Sequence, residues 1–433
     1  MNALRFPSDF VWGASTSAYQ IEGATKEDGR GVSIWDTFAA TPGKVRGGDT
    51  GDPGADHYHR YAQDLDLMRD LGLQSYRFSV AWPRIQPNGS GKANQKGLDF
   101  YRRLIDGLVE RGIRPMVTLF HWDLPQALQD AGGWESRDTA LRFAEYAEIV
   151  FGALHARDWL TVNEPKTVVD CGYRQGVHAP GIADSGRALV ACHHLLLAHG
   201  LASRLLHEQH PGRRIGPALN LHPTYPAEDS QEARDAAVRQ DAVENRLYLD
   251  PIFKGFYPEE TLPADRSHIR EDDLAAISEP IDLLGVQYYT PIFVGPDQRR
   301  VIRHRTRQAG WLEDYPDGFH DILVRVKRDY PEVPLVITEN GLATDDEPGA
   351  DGRVADEDRI SYLRGHLAAM HRAMKAGVRV EGYHVWSLLD NFEWAEGYAQ
   401  RFGIVHVDFE TQKRVPKDSA HWYRDLIRTG ELR

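Results

Sequence analysis

Cysteine is nearly absent. The 433 residues contain two, Cys171 and Cys192, and no CxxC pair, so a disulfide framework is excluded. They read as free thiols packed like small hydrophobes, with a single bridge as the alternative. A surplus of positive charge is also missing. Fifty-one Lys and Arg stand against 64 Asp and Glu, giving a net charge of −13 and a pI near 5.8. That balance disfavours general nucleic-acid binding, because neutralising phosphates needs a basic face. The opening MNALRFPSDF has neither a basic stretch nor an apolar core of the kind a secretory signal carries. The longest helix-like run free of formal charge, Ala188–Ser203, contains three histidines and falls short of the ~20 apolar residues of a membrane span. The expectation is a cytoplasmic protein with no membrane partner. Internal repeats and low-complexity tracts are missing too.

What is present is the material of a large core. Hydrophobic residues make up 41% and aromatics 10%, which disfavours disorder. A chain of this length buries ~75% of its unfolded surface on folding. A prior of one domain per ~150 residues suggests three domains, but α/β barrels exceed it as single units. No composition break marks a linker, so residues 1–433 are expected to form one domain.

Apolar, β-rich runs recur at Phe10–Ala14, Ser75–Val80, Arg114–Leu119, Asp158–Val162, Arg214–Asn220, Ile281–Tyr289, Pro334–Thr338 and Val380–Ser387. Most are short and continuous, as in strands covered on both faces. Helical patterns lie between them. Tyr58, Tyr61, Leu65, Met68 and Leu71 share one face, as do Leu98, Tyr101, Ile105 and Leu108. Others fall near Ser136–Leu154, Ser185–His210, Ala233–Leu249, Phe319–Asp329, Asp356–Ala376 and Ser419–Ile427. Eight strand–helix repeats predict the α/β class and a (β/α)8 TIM barrel with elongated loops at its catalytic face. A doubly wound sheet is the alternative, but the first strand turns through Gly13-Ala14-Ser15-Thr16-Ser17, not GxGxxG. Three irregular stretches read as solvated loops after strands: Thr41–Ala55, Ile292–Gly310 with Arg299, Arg300, Arg303, Arg305 and Arg307, and the acidic Leu342–Asp358.

Barrel enzymes carry their catalytic groups at the C-terminal ends of strands. Two runs end in a glutamate beside an asparagine: Thr161-Val162-Asn163-Glu164-Pro165, and Ile337-Thr338-Glu339-Asn340-Gly341. Pro165 cannot extend a strand ladder, and Asn340-Gly341 suits positive φ. Counted as strands four and seven, they are expected on opposite sides of the barrel mouth. Two facing carboxyls are what glycoside hydrolysis needs, one to protonate the leaving oxygen and one to attack or to activate water. Their pKa values should differ. Aromatics suit the apolar face of a sugar, and Trp122, Trp386 and Trp394 all follow strands. His57, His59, His193, His194, His207 and His210 show no HExxH spacing and read as structural.

Together these segments resemble glycoside hydrolase family 1, the β-glucosidases. The likeness extends to Phe10–Gly23, Tyr76-Arg77-Phe78-Ser79, His121-Trp122-Asp123-Leu124-Pro125-Gln126, Leu388–Trp394 and Arg401–Val405, spanning about residues 6–428. It implies a retaining exo-β-glucosidase acting on cellobiose, short β-glucosides and aryl glucosides, with β-galactosides and β-fucosides as further substrates and no metal or cofactor. By position, Glu164 is implied as acid/base and Glu339 as nucleophile. Asn163 is implied to hold the sugar 2-hydroxyl. Gln20, His121, Trp122 and Trp394 are implied in sugar binding, Glu393 in gripping the 4- and 6-hydroxyls, and Trp386 in stacking. Arg77 and Tyr289 are implied to contact Glu339, with Arg77 keeping it ionised. Trp311 resembles the aglycone-side wall. One departure is Gln287, where the family has Asn, which bears on the positioning of Glu164. The family's phosphoglycosidases carry a phosphate cradle where this chain has Glu393, Gln400 and Phe402, and its myrosinases carry Gln where this chain has Glu164. A transglycosylase of the same site is the enzymatic alternative. A sugar-binding barrel without catalysis predicts the loss of one carboxyl, and both are present.

Overall fold

The computed structural model describes residues 3–263, 265–304, 306 and 309–433. Eight parallel strands close into a barrel: β1 (Val11–Ser15), β2 (Ser75–Ser79), β3 (Arg114–Phe120), β4 (Asp158–Asn163), β5 (Arg214–Asn220), β6 (Leu284–Gln287), β7 (Leu335–Glu339) and β8 (Val380–Trp386). Each pairs with its neighbour in chain order, and β8 returns to β1 through the register Gly382↔Val11 to Trp386↔Ser15. These strands are buried almost throughout, which is why they read as continuous apolar runs and not as alternations.

Helices pack outside. They are α1 (His57–Asp70), α2 (Gln95–Glu110), α3 (Arg137–Ala153), α4 (Ser185–Gln209), α5 (Gln231–Asp241), α6 (Pro316–Asp329), α7 (Glu357–Lys375) and α8 (Asp418–Thr429). The face predicted for α2 is buried as a unit, with Leu98, Tyr101, Ile105 and Leu108 all in the core. The helix expected over Ala233–Leu249 starts earlier and runs on. A π-turn at Ala242–Arg246 joins α5 to Leu247–Lys254. Helix α4, at 25 residues, is long and apolar enough to cross a membrane, but 72% of its apolar window is buried in the protein. Its histidines are partnered: His193 by Tyr257 and Asp273, His194 by the Trp134 carbonyl and His199 by Thr161. Cys171 and Cys192 are both free.

The barrel interior changes character along its axis. Met116, Leu160, Ala218 and Val336, from β3, β4, β5 and β7, cluster with Leu283 in an apolar layer. Toward the C-terminal ends, Arg77, Asn163 and Gln287 come from the even strands β2, β4 and β6, and Glu339 from β7. These four side chains touch one another, so polar groups replace the apolar packing at this level.

Two of the three expected loops are built differently. Ile292–Gly310 is not wholly irregular: Ile292–Val294 pairs with Thr224–Pro226 and with Arg300–Val301 in a three-stranded sheet. Two of its arginines are internally engaged. Arg300 reaches the Trp311 carbonyl at 2.8 Å and the buried Glu313 at 3.3 Å, and Arg303 binds the Ala227 carbonyl at 2.7 Å. Arg305 and Arg307 lie outside the described residues. The acidic stretch Leu342–Asp358 is pinned, not simply solvated. Asp346 is buried against Lys417 and Arg359 at 2.7 Å each, and Lys417 also holds Asp390 at 2.8 Å. A cation buried between two acids ties this loop to the one after β8. The sixth strand is also shorter than expected, ending at Gln287 so that Tyr288 and Tyr289 lie past it.

Candidate active site

The site begins with the backbone at two strand ends. Glu164 closes β4 in the left-handed region (φ 44°, ψ 64°), and Pro165 follows as the first residue of a helical turn. Trp122 and Trp394 adopt positive φ as well, at 80° and 50°. Such conformations cost roughly 1–3 kcal/mol each, so three at one barrel mouth place strain where orientation matters. Gly341 does not use its freedom of φ. It permits a close approach, because a Cβ there would lie 1.7 Å from the Trp386 carbonyl oxygen. Glycine thus brings the ends of β7 and β8 together, with Glu339 on one and Trp386 on the other. Strands β4 and β7 are three steps apart round the ring, one short of the diametric placement expected.

The two carboxyls have unlike surroundings. Glu339 Oε1 accepts from Arg77 Nη1 at 2.5 Å and from Gln287 Nε2 at 2.8 Å, and its Oε2 accepts from the Tyr289 hydroxyl at 2.8 Å. Burial raises its pKa above the ordinary carboxylate value, while Arg77 and Tyr289 oppose that rise. Arg77 therefore favours the ionised form, as expected, but does not bring the group below its usual range. Among the described residues, Glu164 has no cation in hydrogen-bond contact. Its Oε2 accepts from the Thr167 hydroxyl at 2.6 Å, and the Asn220 side chain nearby also favours the ionised form. Burial first, then the charge of Glu339, pushes Glu164 up to about 8.

Around the pair the other candidates assemble. Asn163 Oδ1 accepts from Arg77 at 2.5 Å and from Gln287 at 2.7 Å, so its amide orientation is fixed. Its Nδ2 donates to His121 Nε2 at 3.1 Å, and burial with Arg77 nearby keeps that imidazole neutral. The Trp122 indole N–H donates to the Asn163 carbonyl at 2.8 Å, leaving the ring as its contact surface. His121 stacks with Trp386 and Trp394 at centroid distances of 5.9 Å each. Gln20 donates to Asn391 Oδ1 and the Phe392 carbonyl at 2.9 Å, and more weakly to Glu393 Oε2 at 3.4 Å. Burial, with Glu339 and Glu164 adding like charge, pushes Glu393 up to about 8. Trp311 stands apart at the rim. It is 45% exposed, and its ring packs edge-on to Tyr289 at 6.0 Å between centroids.

Gln287 differs from its expected role. Its extra methylene carries the amide to Glu339 and Asn163, and it makes no hydrogen bond to Glu164. The hydrogen-bond partner of Glu164, Thr167, and its polar neighbour Asn220 are residues that sequence reasoning missed. Both had a signal. Thr167 lies three residues past Glu164 in the first helical turn, where side chains reach back, and Asn220 is a polar residue closing an apolar strand. Thr118 and Ser17 were missed as well; they orient Arg77 at 3.1 Å and Gln20 at 2.6 Å. Among the described residues, no group of three or more His, Cys, Asp or Glu side chains is placed to hold a metal.

Comparison with known proteins extends over the whole chain. The model of glycosyl hydrolase family 1 matches residues 2–432. Beta-glucosidase A of Acetivibrio thermocellus is 47% identical over 447 residues, covering 99% of this chain and 100% of the relative. A bifunctional β-D-glucosidase/β-D-fucosidase of Bifidobacterium breve is 44% identical, with 98% of each chain covered. The solved structure of a β-glucosidase from Thermotoga maritima with glucoimidazole superposes at a TM-score of 0.95. It is 46% identical and covers 98% of this chain and 99% of its own.

Proposed function

This chain belongs to glycosyl hydrolase family 1, and from that premise we propose that it is a retaining exo-β-glucosidase working by double displacement. The observation that carries this reading is the asymmetry of the two buried carboxyls, one held by a guanidinium and two further donors, the other raised to about 8 with no cation in hydrogen-bond contact among the described residues. Glu339 is the nucleophile. Its Oε1 already accepts two donors and its Oε2 only one, so Oε2 keeps a lone pair for the anomeric carbon. As the Oε2–C1 bond forms, the glycosidic C1–O bond breaks and its electrons go to the leaving oxygen. Glu164 delivers its proton to that oxygen. Water then attacks C1 from the face the aglycone left, Glu164 takes the proton, and Glu339 departs as carboxylate. Two inversions give net retention.

Asn163 Nδ2 is the donor for the 2-hydroxyl, where hydrogen bonds strengthen in the transition state. Gln20 and Glu393 take the 4-hydroxyl end of the ring, with His121, Trp122, Trp386 and Trp394 forming the walls. Closure around that hydroxyl favours terminal, non-reducing β-D-glucosyl residues, as in cellobiose and aryl glucosides. The 4-hydroxyl meets both an amide and a carboxyl, and the relative named a β-glucosidase/β-fucosidase supports β-fucosides as further substrates. Trp311, beside Tyr289 at the rim, serves the aglycone side.

Activity requires Glu339 ionised and Glu164 protonated. As pH rises through about 8, Glu164 loses the proton it must donate and kcat/KM falls. As pH drops, Glu339 is protonated, and burial places that limb above the ordinary carboxylate range. A profile of kcat/KM for p-nitrophenyl β-D-glucoside should therefore be a bell with its alkaline limb near 8. An alkaline limb that persists unchanged in a Glu164→Gln variant would remove Glu164 as its source.

A further inference from the structure

Four hydrogen bonds close a ring in the barrel interior. Arg77 Nη1 donates to Glu339 Oε1 and Arg77 Nη2 to Asn163 Oδ1, both at 2.5 Å. Gln287 Nε2 donates to the same two oxygens, at 2.7 Å to Asn163 and 2.8 Å to Glu339. All four residues are buried. Two donor groups on opposite strands thus clamp one pair of acceptors. Arg77 is itself fixed by Thr118, through Nε at 3.1 Å. The Gln287 amide can face only one way, because turning it over would set an oxygen against two acceptors. Held so, its own Oε1 is buried with no partner among the described residues. An orphaned buried acceptor is an energetic cost, and such groups call for an explanation.

We propose that Gln287 is a positioning residue that closes this ring, so that recognition of the sugar 2-hydroxyl at Asn163 and the orientation and charge of the nucleophile Glu339 are set together. This rests on the functional reading above. Its amide fixes Asn163 Oδ1, which leaves Nδ2 as the group presented to the sugar. It also loads Glu339 Oε1, which leaves Oε2 as the attacking atom. Hydrogen bonds in such a chain polarise one another, so strengthening at the 2-hydroxyl is transmitted round the ring. The charged or titratable groups around Glu339 are Arg77 from β2, Glu164 from β4, Tyr289 past β6 and Glu393 from the loop after β8, while neutral His121 past β3 meets the ring at Asn163. Gln287 and the neutral Tyr289 hydroxyl are the uncharged donors to Glu339, Gln287 at Oε1 and Tyr289 at Oε2.

The test uses Gln287→Met, of similar length without a donor, and Gln287→Glu, of the same shape with a charge. For each, kcat/KM against pH is measured with p-nitrophenyl β-D-glucoside and its 2-deoxy analogue, and near-ultraviolet circular dichroism checks the fold. The acidic limb should climb from wild type to Met by roughly one pH unit, since a donor to the ionised form is lost. It should climb further in Glu, where a second carboxylate faces Glu339. The preference for the glucoside over the 2-deoxyglucoside should fall about tenfold in Met, as a hydrogen bond to a charged partner is removed from the ring. If Met fails to fold, the isosteric Glu variant gives the limb shift alone. An unmoved acidic limb, with both substrates slowed by one common factor, would show a merely structural role and overturn the proposal. A wild-type protein that cleaves neither substrate would instead remove the functional reading beneath it.

Discussion

Glu339→Ala is expected to lower hydrolysis of β-glucosides by at least ~10⁴-fold, because no other group can form the covalent intermediate. The geometry adds a second expectation. Truncation opens a small space beside Arg77, whose guanidinium loses its carboxylate partner. A buried cation without its partner costs ~3–5 kcal/mol, so the variant should melt earlier than the wild type. Azide is small and anionic, and it should enter that space and attack the anomeric carbon from the side Glu339 occupied. Glu164 remains to protonate the leaving oxygen. Turnover should return with α-glucosyl azide as product, identified by NMR. Recovery by azide would also show that the remaining site is folded. Retained activity without azide would remove Glu339 from its role.

Glu164→Ala should separate substrates by leaving group. Cellobiose needs its departing oxygen protonated and should slow by about 10³-fold, within the 10²–10⁴ range of general acid catalysis. A 2,4-dinitrophenyl glucoside departs as a stable anion and should form the glycosyl-enzyme at near the wild-type rate. Its hydrolysis then stalls, because the water of the second step has lost its base. A burst of dinitrophenol followed by slow turnover is the expected trace. Azide needs no base, so it should relieve the stall and give β-glucosyl azide. Unchanged cellobiose hydrolysis would overturn the assignment of Glu164.

Much of the fold was legible because parallel strands covered on both faces leave continuous apolar runs, and eight of them can be counted. The carboxyl pair was legible for a related reason: Glu164 and Glu339 interrupt those runs at the ends where barrel sites form. What stayed hidden depends on side-chain reach. Gln287 was expected to bear on Glu164, but one extra methylene carries its amide to Glu339 and Asn163. Thr167, which holds Glu164, and Asn220, which neighbours it, come from a helical turn and an adjacent strand brought together only when the barrel closes. Charge runs misled for the opposite reason. Arg300 and Asp346 look like solvated loop residues in a linear chain, yet each meets a distant opposite charge, Glu313 and Lys417. Asn340-Gly341 reads as a pair suited to positive φ, whereas Gly341 answers to the carbonyl of Trp386, 45 positions away in the sequence.

The central claim is that Glu164 and Glu339 act together in a double displacement. Proton NMR of p-nitrophenyl β-D-glucoside mixed with the protein, following the first anomer to appear, tests it most directly. β-Glucose should form first and only later mutarotate to the equilibrium mixture. α-Glucose forming first would mean that water attacks the anomeric carbon directly, and Glu339 could then not be the nucleophile.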